Sequence, residues 1–365
     1  MNEFAAFSDR RLCQKLAAQI AEQMPPQPVT LMEVCGTHTM AIFQSGLRDL
    51  LPENVTLLSG PGCPVCVTPN QQIDRAIAIA RSSPNVCLTT FGDMLRVPGS
   101  SSSLEQARAQ GADVRVVYSA LDALAIAERE PQTVVVFFGI GFETTTPTVA
   151  ASVMDAQCRE QRNYCVLAAH KIMPPAIQAI FESRKVKIDG LLLPGHVSTI
   201  IGRQAYDWLA QTYRKPCAIA GFTPVDILQA ILSLMKQIAS GVALVENCYA
   251  RAVQETGNRA AQQIMAEVFE VCDSEWRGLG VIPQSGLQFR AAYRAFDASA
   301  RFDLPVEPPR EHPGCRCGDI LRGAHLPPDC PLFGNACTPQ TPVGACMVSS
   351  EGTCAAYYKY RKRGA

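Results

Sequence analysis

Short β-rich runs alternate with helix-like stretches along most of this chain, and that alternation admits very few architectures. The runs fall at 29–34 (VTLMEV), 55–58 (VTLL), 86–89 (VCLT), 114–118 (VRVVY), 133–138 (TVVVFF), 164–168 (YCVLA), 188–193 (IDGLLL), 217–220 (CAIA) and 242–245 (VALV). Helices are expected at 9–24, 70–81, 104–110, 120–130, 145–158, 174–182, 200–213, 224–239 and 250–271. Several runs are continuously apolar, as strands covered by helices on both faces require. The expected fold is α/β: two parallel-sheet α/β domains around a cleft, plus an irregular C-terminal module. With a break placed in 120–145, the first domain is expected over 1–130 and the second over 131–271. From 272 onward Gly, Pro and Cys dominate. The segment 272–365 therefore reads as a module held by metal rather than by a large core.

Bulk properties remove several classes. Lys+Arg and Asp+Glu both number 33, so the formal net charge is zero and no nucleic-acid partner is implied. No run of about 18 apolar residues exists, which removes a membrane-spanning helix. The opening residues mix acids and bases, so no signal peptide is expected. Sixteen cysteines in 365 residues is a high count for a chain this long and apolar. In a reducing compartment such thiols bind metal or cycle redox state. Cys87, Cys165 and Cys217 lie in strand-like runs and read as core fillers. Cys13, Cys158, Cys248 and Cys272 have no metal-like spacing.

The remaining cysteines fall in motifs. Cys330, Cys337, Cys346 and Cys354 are separated by seven, nine and eight residues. Thiolates at such spacing suit structural zinc or a [4Fe–4S] cluster. Cys315 and Cys317, in GCRCGDILRG, stand as substitutes for members of that set or as lining for a nearby surface. Cys63 and Cys66 form a CxxC after a sharp GPG turn. It reads as a thioredoxin-like redox pair, half a zinc site or a structural pair, and a helix opening at 68–70 would lower one thiol pKa. Cys35, in EVCGTHTM, has Thr37, His38 and Thr39 after it. A thiol needs a nearby cation or helix terminus to become a good nucleophile or ligand, and His38 is the candidate.

Other polar residues also follow strand-like runs. Glu143 with Thr144 or Thr145 in GFETTTP offers either helix caps or a site for a polar ligand. His170 in AAHK and His196 in PGHVSTIIG are loop histidines or groups for proton transfer beside a metal. Asp226 in GFTPVD is a helix-start charge or a cleft acid. Ligands of open α/β sheets bind beyond the strand C-termini, so this distribution predicts one shared cleft. No GxxxxGK[ST] is present and GIGFE is not a full dinucleotide fingerprint, so nucleotide chemistry is not expected.

At MEVCGTHTM, LLSGPGCPVC, GFETTTPTVA, LLLPGHVSTIIG, GCRCGDILRG, CPLFGNAC and VGACMVSSEGTCAAYY the chain resembles the HypD family of hydrogenase maturation factors, from about residue 30 to its end. The resemblance implies a cytoplasmic iron–sulfur protein in assembly of the Fe(CN)2CO group of nickel–iron hydrogenases. It implies a HypC-type chaperone as partner and HypE as cyanide donor, through an activated thiocyanate at the HypE C-terminus. Carried onto this chain, Cys35 ligates the transiently bound iron with a chaperone cysteine as co-ligand, and His38 assists. Cys63 and Cys66 form the dithiol/disulfide pair, and Cys330, Cys337, Cys346 and Cys354 hold a [4Fe–4S] cluster. Electrons would pass from cluster to CxxC to the iron at Cys35. Position 40, a second His in some relatives, is Met here. The resemblance favours a scaffold with redox capability over a turnover enzyme. The competing classes are a cluster-dependent thiol–disulfide oxidoreductase acting on a protein partner and a zinc-stabilised interaction module.

Overall fold

Apolar runs of four to six residues become strands wherever helices can cover both of their faces. The computed structural model describes residues 9–183 and 186–360. Its strands are β1 (Val29–Glu33), β2 (Val55–Ser59), β3 (Val86–Thr90), β4 (Asp113–Val116), β5 (Val134–Gly139), β6 (Tyr164–Ala168), β7 (Gly190–Pro194), β8 (Cys217–Ala220), β9 (Val245–Asn247), β10 (Phe269–Trp276) and β11 (Gly280–Phe289). One sheet has the order β2-β1-β7-β8-β9 and a second the order β4-β3-β5-β6. Every pairing in both is parallel. Strands β3 and β7 are buried along their whole length, as central strands of doubly covered sheets must be.

The sheets do not follow a linear division of the chain. All four strands of the second sheet lie between β2 and β7, so the first sheet is assembled from two separated segments. The expected boundary at 130/131 falls between β4 and β5, inside the second sheet. The cause is a long-range pairing: β7, apolar throughout, docks beside β1 with Met32 opposite Leu191. Helix Arg10–Glu22 packs with helix Pro224–Ser240 on this sheet, through Leu16, Ile20, Ile227 and Ile231.

Most expected helices form close to their expected limits, as at Asn70–Arg81 and Pro224–Ser240. Three differences have local causes. The stretch 200–213 is two helices, Gly195–Ile201 and Asp207–Tyr213, because Gly202 takes φ +84° and ends the first. The helix expected over 250–271 is only Arg259–Val268, with Asn258 Oδ1 accepting from the Ala261 N–H. Just before it, Gly257 takes φ +68° and lies so close to Ile200 that a Cβ would sit 2.2 Å from that carbonyl oxygen. The chain then enters the antiparallel hairpin β10–β11, where no regular element was expected. Two further helices, Gly36–Gln44 and the short Pro64–Val67, begin where the sequence suggested loops.

The C-terminal segment is irregular, with short helices at Cys317–Leu321, Ala345–Val348 and Thr353–Tyr360. It rests on the first α/β unit: Tyr357 meets Phe43 edge-on at 4.7 Å, and the Arg48 guanidinium lies over both rings. Among the described residues no helix is long and apolar enough to cross a membrane.

A Gly257→Ala substitution forces a side chain into the left-handed region and into the Ile200 carbonyl. We expect it to lower unfolding free energy by about 1–2 kcal/mol or more, measured by denaturant unfolding. An unchanged midpoint would contradict this packing.

Candidate functional site

Parallel neighbours β1 and β2 end side by side, with Glu33 opposite Ser59, so the loops that follow them emerge together. Cys35 is the N-cap residue of helix Gly36–Gln44, and Cys63 is that of helix Pro64–Val67. The Gly36 N–H donates to Gly62 O at 3.0 Å, and the Gly60 N–H donates to Glu33 O at 2.7 Å. A Cβ on Gly62 would lie 2.2 Å from the Cys35 nitrogen, so the GPGC turn requires glycine there. The two cysteine loops are thus packed backbone to backbone.

Glu33 lies beneath Cys35. Its Oε2 accepts the Cys35 N–H at 3.0 Å, and its Oε1 accepts the Thr39 hydroxyl. Burial pushes its carboxyl up to about 7, against the hydrogen bonds from Thr39 and the Cys35 N–H. Burial likewise pushes the Cys35 thiol up to about 12; the His38 N–H opposes this, and the Glu351 and Glu33 carboxylates add to it. Cys35 is therefore a protonated thiol until a cation displaces its proton.

His38 does not supply that cation. Its Nε2 lies 3.0 Å from Gly221 O and 3.2 Å from Ala220 O, which ties the ring to the end of β8. Burial lowers its pKa to about 4, so the imidazole is neutral near pH 7. Phe222 stacks on His38 at 4.8 Å and on His196 at 3.9 Å, and the exposed His196 ring has its pKa lowered by the partial desolvation of this packing.

The C-terminal segment closes over both cysteine loops. Thr37 Oγ1 donates to Glu351 Oε1 at 2.6 Å, and Gly36 leaves room for that approach, since a Cβ would lie 2.6 Å from Glu351 Cβ. Ser349 Oγ lies 3.2 Å from Cys63 Sγ. Ser350 donates from its N–H (3.0 Å) and hydroxyl (3.2 Å) to Asp93. Residues 349–351 thereby join the loops that follow β1, β2 and β3.

Cys63 and Cys66 are free thiols with Sγ atoms 2.8 Å apart, and the Cys66 N–H donates to Cys63 Sγ at 3.3 Å. Cys346, on helix Ala345–Val348, packs beside helix Pro64–Val67 and bears on the ionisation of Cys66. Burial opposes ionisation of Cys66, but the Cys346 and Cys63 thiols and the Arg277 charge outweigh it and bring the thiol down to about 5. Burial and the neighbouring Cys66 push Cys63 upward. The helix that begins at this pair is Pro64–Val67, earlier than the opening expected at 68–70.

Cys346 Sγ lies 2.7 Å from Cys317 Sγ. Cys315, Cys317, Cys330, Cys337, Cys346 and Cys354 all line one narrow cavity, otherwise walled by apolar groups such as Ile320, Leu332 and Phe333. Among the described residues no group of three or more His, Cys, Asp or Glu side chains stands in ligating arrangement. The donor chemistry of the cavity nonetheless fits an iron–sulfur cluster: six thiols, an apolar wall and no competing carboxylate. Cys330, Cys337, Cys346 and Cys354 are brought together, and so are Cys315 and Cys317.

The remaining candidates sit apart from the thiols. Asp226 is wholly buried in a capping box with Thr223 and in a two-point pair with Arg251 at 2.7 and 2.5 Å. Burial pushes its carboxyl up, but these partners hold it below the usual carboxylate range, so it anchors helix Pro224–Ser240. Glu143 accepts the Met173 N–H at 3.0 Å through Oε1, and its Oε2 has no partner. Burial pushes it up to about 7. Thr144 lies in the turn, half-buried. Thr145 is the N-cap of helix Thr146–Cys158, yet its hydroxyl donates to the Ile140 and Phe142 carbonyls instead of capping. His170 is buried with neither ring nitrogen bonded, and burial with Lys171 beside it lowers its pKa to about 3. Sequence reasoning passed over Glu33, Glu351 and Arg277. Glu33 alone carried a signal, as an acid inside an apolar strand two residues before Cys35.

The structure thus places a buried pair of thiols, Cys63 and Cys66, beside a six-thiol cavity at one edge of a parallel α/β frame. The family model that matches residues 11–361 is described as HypD, "Hydrogenase formation hypA family". The chain is 49% identical over 369 residues to "Hydrogenase maturation factor HypD" of Cupriavidus necator, covering 99% of this chain and 97% of that protein. It is 50% identical over 363 residues to the factor of the same name from Rhizobium leguminosarum bv. viciae (97% and 94%). For the factor from Escherichia coli the identity is 49% over 338 residues (92% and 90%). The chain belongs to the HypD family.

The raised Glu143 carboxyl yields a pH prediction. Its folded pKa of about 7 lies above the ordinary 4.5, so the folded state holds the proton more tightly. Its stabilising contribution is complete below 4.5 and is lost as pH rises through 7. Glu143→Gln should flatten the fall in stability between those limits, measured by denaturant unfolding across pH. A variant with the native slope would contradict the assignment.

Proposed function

We propose that this chain is a redox-active scaffold in nickel–iron hydrogenase maturation. With a small HypC-type chaperone it carries the iron on which the Fe(CN)2CO group is assembled, and it accepts cyanide from HypE. The name and extent of its relatives support this role, since curated maturation factors match it nearly end to end. The observation that carries the reading is the Cys63–Cys66 thiol contact at 2.8 Å, beside the Cys35 loop and next to the six-thiol cavity that Cys346 lines.

In this reading Cys35 is the iron ligand, and the chaperone provides a second thiolate. Loss of the Cys35 proton is coupled to iron binding, because burial disfavours a bare thiolate there. Glu33 holds the Cys35 N–H and the Thr39 hydroxyl, and so fixes the turn from below. Glu351, through Thr37, closes it from the C-terminal side. His38 stays neutral and orients helix Gly36–Gln44 against the end of β8. His196 and Phe222 pack around it. Glu143, Thr144 and His170 act by holding turns on the second unit, and Asp226 by holding the helix start after β8.

Residues 272–365 are proposed as the cluster module, with Cys330, Cys337, Cys346 and Cys354 as [4Fe–4S] ligands and Cys315 and Cys317 as flanking thiols. A cluster held there would supply single electrons beside the dithiol. Two such electrons and one proton would convert a Cys63–Cys66 disulfide to one thiol and one thiolate. The chain's compartment is proposed to be the cytoplasm, where thiols stay reduced. The alternative, a thiol–disulfide oxidoreductase acting on a protein partner, draws on the same Cys63–Cys66 contact.

Infrared spectroscopy of the anaerobic complex with its chaperone tests the scaffold role. Cyanide and carbonyl stretching bands are expected in the native complex and absent with Cys35→Ala, while the cluster's visible absorbance survives. A fully cluster-loaded native complex without such bands would overturn carriage and favour the oxidoreductase. Separately, Cys337→Ser and Cys354→Ser should each lose the cluster absorbance, and Cys315→Ser should keep it. Loss in Cys315→Ser with retention in Cys354→Ser would reassign the ligands.

A further inference from the structure

A second cavity, of about 280 Å³, opens on the other side of the Cys315 and Cys317 wall. Its remaining polar lining comes from Asn70, Ser100, Arg277, Arg310 and His312, with Glu311 as the single acid. Arg277 sits in the turn between β10 and β11 and is 5% exposed. Its backbone N–H donates to Val67 O at 2.8 Å and its Nε to Thr68 O at 2.9 Å, with Nη2 at 3.5 Å from Pro98 O. All three acceptors are backbone carbonyls. None of the ion pairs among the described residues includes Arg277.

A guanidinium buried this deeply is unfavourable unless a negative charge faces it. The Cys66 thiol, on the segment that Arg277 staples, meets part of that demand. The cavity offers a place for the rest. Helix Asn70–Arg81, twelve residues long, begins at its wall. No side chain caps that helix and its first turn holds no acid; the Gln72 N–H donates to Pro69 O at 3.1 Å, so the Asn70 and Gln71 N–H groups and the positive dipole end are left for a ligand. The Arg310 N–H donates to Ser100 Oγ at 2.8 Å, which fixes the segment carrying Arg310 and His312 across the mouth. Asp74, on the same helix, is engaged by the Ser100 N–H (2.8 Å) and hydroxyl (2.5 Å).

We propose that this cavity is an oxyanion site, taking a small phosphate- or carboxylate-bearing ligand held by Arg277 and Arg310 at the start of helix Asn70–Arg81. The site goes beyond the assembly role and stands whether or not that role does.

Calorimetric titration of the anaerobic, cluster-loaded protein with inorganic phosphate, and separately with acetate, tests the proposal. Saturable binding is expected, weakened about tenfold or more in Arg310→Ala and Arg277→Gln and tightened in Glu311→Gln. Tighter phosphate assigns a phosphate-bearing ligand, and tighter acetate a carboxylate. Arg310 lies at the exposed mouth, so its variant serves even where Arg277→Gln fails to fold. Absence of saturable binding for both anions, or native affinity in a folded Arg310→Ala protein, would overturn the site.

Discussion

The close fit of Gly62 against the Cys35 backbone sets the geometry on which the other parts depend. It exists because β1 and β2 are parallel neighbours whose C-terminal ends coincide. Parallel pairing puts the loops after successive strands on one edge of a sheet. Here it delivers a protonated thiol and a polarised dithiol to that edge. A side chain at position 62 would push the two loops apart and separate the iron-binding candidate from the redox pair.

The C-terminal segment completes what the sheet edge begins. Ser349, Ser350 and Glu351 bond to Cys63, Asp93 and Thr37, and Cys346, three residues earlier, lies beside Cys66. Burial governs the charge state of each group. Glu33, Cys35 and Cys63 are all driven toward their neutral forms. Cys66 escapes because it has two thiols and Arg277 beside it. Among these neighbouring thiols the charge therefore gathers at a single sulfur. The hairpin β10–β11 has a direct part in this, since its turn carries Arg277 and packs Gly278 against Gly318 of the helix that follows Cys315.

Local patterns were readable before the fold was known. The apolar runs marked nearly every strand of both sheets, and periodicity marked helices such as Asn70–Arg81 and Pro224–Ser240. The cysteine motifs named the thiols that meet. What escaped was non-local. The nesting of the second sheet inside the first depends on β7 choosing β1, and nothing near residue 130 records that choice. The hairpin was hidden by sparse apolar residues, though Gly278 and Gly280, both at positive φ, were its turn signal. His38 looked like the activating cation because it is three residues from Cys35. Its helix points it at the carbonyls ending β8, and burial keeps it neutral. Asp226 read as a helix-start charge or a cleft acid, and its capping box with Thr223 and pair with Arg251 make it the helix-start charge.

The central claim is that the dithiol and the cysteine cavity form one electron path through Cys66 and Cys346. Its most direct test starts from anaerobic, cluster-loaded protein with Cys63 and Cys66 oxidised to a disulfide. Dithionite is added as electron source, and free thiols at those two positions are counted by alkylation and mass spectrometry over time. The account predicts rapid two-electron opening of the disulfide in the loaded protein and much slower opening in the cluster-free Cys354→Ser variant. Equal rates in the two proteins would contradict it, because the electrons would then be reaching the disulfide without passing through the cavity.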